Sequence, residues 1–378
     1  MTIEKKLLGT SPSGDAANVA DVFSTFLYTG NNTGQTITNG IDLAGEGGLV
    51  WTKARDGTIH HALTDTVRGN TKFLEGSHTG SEETTTVGIT AFNSNGYNLG
   101  ADNTWKFNVN NAHVTKYVSW TFRKKKKFFD VVTYTGNGAN RTIAHSLGGD
   151  VGMMFIKQTN ATNDWIVYVK SLGNDKLMYL NLTNSIGNDP TGVMWNTTTP
   201  TNDLFSIGTQ GAVNTNGATY VAYLFADNSS EDADDQMIKC GSYTTDGSGN
   251  ATIDLGWEPQ FVITKKTNGT SDWNIWDTMR GWSNGSNYNY IVANTAAAET
   301  GNSNYGNPTA TGFTSNGVIG ANSSGIYMAI RAPMMKEPEA ATEVYKTLLR
   351  TGTNGTASVT GVGFPFDVLI SRSRNNGG

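Results

Sequence analysis

Leu27-Tyr28-Thr29-Gly30-Asn31 returns as Thr133-Tyr134-Thr135-Gly136-Asn137 and again, varied, as Ser242-Tyr243-Thr244-Thr245-Asp246-Gly247. A fourth copy, Leu349-Arg350-Thr351-Gly352, puts arginine where tyrosine stood. Tyr134 lies 106 residues after Tyr28, Tyr243 lies 109 after Tyr134, and Arg350 lies 107 after Tyr243. Intervals this even identify an internal repeat. The same landmarks then follow each copy in the same order. An apolar run ending in lysine comes first: Leu49-Val50-Trp51-Thr52-Lys53, Met154-Phe155-Ile156-Lys157 and Phe261-Val262-Ile263-Thr264-Lys265. The fourth copy has Phe366-Asp367-Val368-Leu369-Ile370, then Ser371 and Arg372. A polar turn and an aromatic strand follow, as in Asn163-Asp164-Trp165-Ile166-Val167-Tyr168 and Ser271-Asp272-Trp273-Asn274-Ile275-Trp276. Each full unit closes on an alternating strand: Tyr117-Val118-Ser119-Trp120-Thr121-Phe122, Tyr220-Val221-Ala222-Tyr223-Leu224-Phe225 and Tyr327-Met328-Ala329-Ile330-Arg331. A period of two puts one face on a core and the other toward solvent or a second layer.

Composition agrees with short strands and tight turns. Glycine supplies 45 of 378 residues, well above the ordinary share of about 7%, and charged residues only 16%. The eight prolines and the lack of a Gly-X-Y period exclude collagen. The fold class is therefore all-β, and about 105 residues per unit is the size of a jelly-roll-like β-sandwich. Propeller blades need only about 40–50 residues, so the expectation is tandem sandwiches, beads on a string rather than one closed ring. Biased stretches mark the joints: Lys124 to Lys127, Glu231-Asp232-Ala233-Asp234-Asp235, and Met334 to Ala340. The predicted organisation is a leader at 1–21, repeats at 22–127, 128–236 and 237–343, and the start of a truncated fourth repeat at 344–378.

A net charge of −5 gives no basic footprint for nucleic acid. The single Cys240 rules out an intrachain disulfide framework. No secretory signal opens the chain and no apolar run is long enough to span a bilayer, so membrane insertion is not expected. The leader combines Gly9, Pro12 and Gly14 with apolar Ile3, Leu7, Leu8, Val19 and, at its edge, Val22, a composition that predicts an arm ordered on contact with a partner, the alternative being an arm folded back onto its own first unit.

The ordered landmarks resemble a repeated domain of virion proteins from marine tailed phages of the cyanobacterial type. The residues carrying the likeness are Tyr134 to Gly138, Trp51 to Lys53, Asp65 to Gly69, Asp277 to Gly281 and Tyr220 to Phe225, with a leader similar at Glu4 to Ser13. The resemblance implies a structural or adhesive virion component, a tail fibre or appendage protein active in host attachment. Its leader would dock to other virion proteins, tail or capsid, and its repeats would project outward. A homo-oligomer and a host surface glycan as ligand are the further expectations, with a capsid decoration or knob protein as the alternative. A carbohydrate-binding or glycan-degrading protein ranks below both.

No residue set assembles a catalytic, cofactor or metal site, and no cofactor or enzyme activity is expected. His60 and His61, with Asp56 and Asp65 nearby, are sequence neighbours that point to opposite faces of a strand and cannot readily share one metal. His78, His113 and His145 stand alone. Glu231 to Asp235 lacks the spacing of a calcium loop and reads as a solvated linker, as does the lysine run. The repeated Asp65-Thr66-Val67-Arg68-Gly69 and Asp277-Thr278-Met279-Arg280-Gly281 predict a structural turn, with carboxylate and guanidinium paired and glycine at positive φ. Unit two breaks the pattern with Val169-Lys170-Ser171-Leu172-Gly173. Trp51, Trp120, Trp165 and Trp273 are expected in the core.

Overall fold

The computed structural model describes residues 18–101, 109–110, 116–233, 235–283, 285, 288–333, 345–349, 351 and 370–371. The chain forms two compact units, 16–334 and a second one from 1–15 with 335–378. The leader as far as residue 17, His113, Asp234 and most of the fourth copy lie outside the described residues.

The first repeat shows the plan. Its strands are β1 (Phe23–Thr29), β2 (Gln35–Thr38), β3 (Gly48–Ala54), β4 (Ala62–Asp65), β5 (Lys72–Glu75), β6 (Glu83–Thr84), β7 (Ile89–Asn93), β8 (Gly96–Leu99) and β9 (Lys116–Arg123). One sheet runs β1-β9-β3-β4-β5-β6 and the other β2-β8-β7. First pairs with last and second with next-to-last, the jelly-roll-like sandwich. Six-stranded sheets of the same order recur in repeats two and three, with smaller sheets of two and three strands beside them. The register is shared too. Phe23 opposes Phe122, Phe129 opposes Phe225, and Ile238 opposes Ile330. Tyr28, Tyr134 and Tyr243 therefore occupy equivalent positions. Tyr28 and Tyr134 donate their hydroxyls to Val109 O (2.6 Å) and Val213 O (2.8 Å), fastening the loop before the closing strand.

The beads-on-a-string expectation does not hold. One hydrophobic core contains Trp51, Trp120 and Phe122 of repeat one, Phe155 and Phe225 of repeat two, and Phe261, Trp273 and Ile330 of repeat three. Rings meet across repeats: Trp51 with Phe155 (6.4 Å), Phe122 with Phe225 (5.4 Å), and Trp120 with Phe261 (6.0 Å). The physical reason lies in the closing strands. In Lys116–Arg123 both faces of the alternation are buried, one against its own small sheet and one against the neighbouring repeats. A fully buried aromatic or aliphatic side chain contributes about 1.5–3 kcal/mol, so leaving these second faces in water would be costly. Repeats one and three keep separate outer cores, around Ile37 and Tyr97, and around Trp257, Trp282 and Phe313.

The boundary at 22 also shifts. Asn18 caps a short helix, Val19–Val22, and Val19 and Val22 are fully buried in the common core. This end of the predicted leader belongs to the folded body.

Candidate functional site

Backbone bonds cross between repeats in a closed cycle. Asn163 N donates to Thr79 O (2.9 Å), Ser271 N to Thr183 O (3.0 Å), and Ile59 N to Ala296 O (2.8 Å). In the opposite sense Glu82 N donates to Thr159 O (2.7 Å), Ile186 N to Thr267 O (2.9 Å), and Glu299 N to Arg55 O (2.8 Å). Repeat one thus meets two, two meets three, and three meets one. We call the three junctions seams; the strand-end lysines, the Asp-X-X-Arg-Gly turns and the landmark tryptophans lie on them.

The lysine that ends each apolar strand is a seam residue. Lys53, Lys157 and Lys265 donate to Ala296 O (3.1 Å), Thr79 O (3.1 Å) and Thr183 O (2.9 Å) of the adjoining repeat. Burial lowers Lys53 to about 7 and Lys157 and Lys265 to about 8, against the pull of Glu299, Asp164 and Asp272 respectively.

The two Asp-X-X-Arg-Gly turns lie on different seams. At the seam of repeats one and two, Arg68 Nε meets Asp65 Oδ2 at 2.5 Å and Arg68 Nη1 meets Glu82 at 3.2 Å. The Tyr223 hydroxyl, from repeat two, donates to Asp65 Oδ2 (2.8 Å) and accepts from Arg68 Nη2 (2.9 Å). At the seam of three and one, Arg280 Nε meets Asp277 Oδ2 at 2.6 Å and Nη1 meets Glu299 at 3.2 Å. Trp120 Nε1, from repeat one, donates to Asp277 Oδ2 (2.9 Å), and Arg55 continues the network to Glu299 at 2.8 Å. Gly69 and Gly281 do take positive φ, +102° and +92°, and Gly173 of unit two follows at +90°. Asp65 and Asp277 are fully buried, so this salt bridging is internal to the body. Chemically the arrangement can fasten two repeats together. Its donors and acceptors are consumed in doing so.

Equivalent positions explain His61. Trp165 and Trp273 stand four residues before Val169 and Asp277, and donate Nε1 to Glu75 O (3.0 Å) and Tyr179 O (2.8 Å) of the adjoining repeat. His61 stands four before Asp65 and bonds through Nε2 to Val292 O at 3.0 Å, while its Nδ1 accepts from Trp51 Nε1 at 2.8 Å. A histidine here fills the place of a tryptophan. The change from tryptophan hides this landmark in the sequence of repeat one; the four-residue spacing to Asp65 is the signal that marks it. Buried His61 is held well below its ordinary value, by burial first and then by Lys53. His60 turns elsewhere, with Nδ1 2.8 Å from Ser77 Oγ, and His78 Nδ1 lies 3.3 Å from Glu75. His145 accepts from Leu147 N at 3.2 Å inside repeat two. Among the described residues no cluster of three or more His, Cys, Asp or Glu could hold a metal ion. None of the helices there is long and apolar enough to cross a membrane.

The two charged linkers meet each other. Lys127 Nζ contacts Glu231 at 2.8 Å, Asn228 Nδ2 donates to Lys127 O at 2.8 Å, and Lys124 pairs with Asp130 at 3.0 Å. Buried Trp51, Trp120, Trp165 and Trp273 are all core residues.

A family model, a domain of unknown function designated DUF7483, matches residues 18–332. The chain belongs to this family. The matched stretch nearly coincides with the compact unit 16–334, so the unit the family shares is the closed set of three repeats rather than one repeat. The search of curated proteins found no match.

Proposed function

We propose that this chain is a structural and adhesive component of a virus particle, a rigid knob carried by a tail fibre or appendage, without catalytic activity. The reading rests on the resemblance of the repeat landmarks to phage virion proteins. It is supported by one observation above the rest: three repeats locked into a single body with a common core. Within that body, the starts of the three first strands oppose the ends of the closing strands, and Phe23, Phe122 and Phe261 are in ring contact. Chain entry and chain exit consequently lie at one end, the linker end. The loops after Tyr28, Tyr134 and Tyr243 follow the other ends of those strands, and loops held on a rigid scaffold are where binding residues concentrate.

The second reading is a capsid decoration protein, and the same compactness favours it. A rigid block tethered at one end suits a shell surface as well as a fibre tip, whereas an extended spacer would need independent beads. In both readings the leader docks to a virion protein. A particle reconstruction that finds the 18–333 body at a fibre tip supports the first reading, and one that finds it on the shell supports the second. Absence of the chain from purified particles would overturn both.

A further inference from the structure

We propose that His61 is a proton-operated latch on the seam between repeats three and one, so that acid opens the ring there and nowhere else. Three observations carry this. First, the position is unique among equivalents: Trp165 and Trp273, which do not titrate, close the other two seams. Second, the closed seam uses both ring nitrogens. Nε2–H donates to Val292 O of repeat three, so Nδ1 must be unprotonated to accept from Trp51. A second proton would break the Trp51 bond and create a buried cation. Third, this seam has no covalent linker. Residues 124–128 join repeat one to two and 227–237 join two to three, but repeat three closes on one through side-chain and backbone contacts alone.

The charges around the ring make protonation still less favourable. Lys53 on β3, His60 on its own segment and Arg280 on the facing turn all oppose a positive His61. Asp277 and Glu299 are the nearby carboxylates, and Arg280 and Arg55 already pair with them. Trp120 lies stacked 6.5 Å from the imidazole, and Arg280 already sits 5.5 Å over the same indole. The sign follows from linkage. A histidine held below 6.5 in the closed form adds stability above 6.5, and loses it as pH falls below that value. An open, solvated ring titrating near 6.5 would raise the open population up to about 25-fold between pH 7 and pH 5.

The cross-seam amides provide a test with internal controls. Ile59 and Glu299 donate across the seam of three and one, Asn163 and Glu82 across that of one and two, and Ser271 and Ile186 across that of two and three. Hydrogen exchange of the full chain would be measured at pH 7 and pH 5 and corrected for intrinsic chemical exchange. Ile59 and Glu299 should lose protection at pH 5 by up to about 25-fold, and the other four should keep theirs. The seam of one and two contains the same carboxylate and guanidinium set at Asp65, Glu82 and Arg68, so carboxylate protonation alone would move its amides as well. The double variant Trp51→Phe with His61→Trp copies the Phe155 and Trp165 pairing of repeat two and should hold Ile59 and Glu299 protected at pH 5. Six amides moving together, full protection of Ile59 and Glu299 at pH 5, or acid opening that persists in the double variant would each overturn the proposal. The wild-type comparison decides the matter even where the variant does not fold.

Discussion

Two of the three seams carry a buried Asp–Arg turn, and the third has apolar side chains at those positions, with Lys170 paired to Asp227 (2.9 Å) and Asp150 (2.7 Å) beside them. Where Asp65 and Arg68 stand in repeat one, repeat two offers Tyr223 to bond them. Where Asp277 and Arg280 stand in repeat three, repeat one offers Trp120. Repeat two has Val169 and Leu172 instead, and the position of repeat three in register with Trp120 and Tyr223 is Met328, since Trp51, Phe155 and Ile263 oppose the three residues. Charge and donor come and go together. A buried carboxylate is tolerable only with its hydrogen bonds met, and methionine offers no donor. The break in unit two is therefore a change of seam chemistry, matched on both sides of the junction. The seam of three and one, which lacks a covalent linker, extends its network to Arg55, as that of one and two extends its own to Lys72.

The largest effect should come from breaking that match on one side. Arg280→Ala leaves Asp277 buried and short of its partner, and should destabilise the body by about 3–5 kcal/mol in denaturant unfolding. Copying the apolar side chains instead, with Asp277→Val, Arg280→Leu and Trp120→Met together, should recover most of that loss, because apolar replacement of a buried pair is often neutral or better. A triple variant as unstable as Arg280→Ala would show that the two chemistries are not interchangeable.

A smaller loss is expected at the other charged seam. Tyr223→Phe keeps the ring in place and removes a hydroxyl that serves both Asp65 and Arg68. The cost should be about 1–3 kcal/mol, the range for leaving a buried polar group short of a partner. The same effect in an Asp65→Val, Arg68→Leu background would mean that the hydroxyl acts through something other than the pair.

Much of this was readable in the chain. The repeat interval, the register of Tyr28, Tyr134 and Tyr243, the turn of Asp65 with Arg68 and Gly69, and the buried tryptophans all follow from local pattern. Ring closure does not. Asp277 and Trp120 are 157 residues apart, and nothing in either segment names the other as partner. The closing strands were ambiguous for a physical reason: period-two alternation tells that the faces differ, not that both are covered. Ser119, Thr121 and Ala222 read as the wetter face, yet all are buried, because the small sheet lies over them. Likewise Val19 and Val22 signalled a need for burial without saying against what. The candidate site was legible as residues and illegible as a seam.

The seam lysines provide a test that acts on all three junctions. Burial holds Lys53 near 7 and Lys157 and Lys265 near 8, below the 10.5 of a solvated lysine. The unfolded chain then binds more protons than the folded one between those values and 10.5, so stability should rise with pH across that window. Below about 7 the burden is fully present. Carbonyl acceptors offset much of it, so the gain should be on the order of 1 kcal/mol. Melting temperatures from pH 7 to pH 10 would check this, with Lys157→Met, which removes the titrating group, expected to flatten the rise. A melting temperature that falls steadily over that range would show that the carbonyls outweigh the burial.

The linkers should matter least. Lys127 and Glu231 are close, at 2.8 Å, but Lys127 is exposed, and such pairs are typically worth about 0–1 kcal/mol and are screened by salt. Lys127→Ala should therefore shift stability by less than about 1 kcal/mol, and the shift should shrink further in 0.5 M salt. The contrast with Arg280→Ala sets an exposed cation on one carboxylate, Glu231, against a buried cation shared by two, Asp277 and Glu299. Added calcium should leave the melting temperature unchanged, because Glu231 already faces a lysine and no loop of oxygen ligands surrounds it among the described residues. A calcium-dependent rise would instead make the acidic linker an ion site, and the pairing of the two linkers a state that calcium displaces.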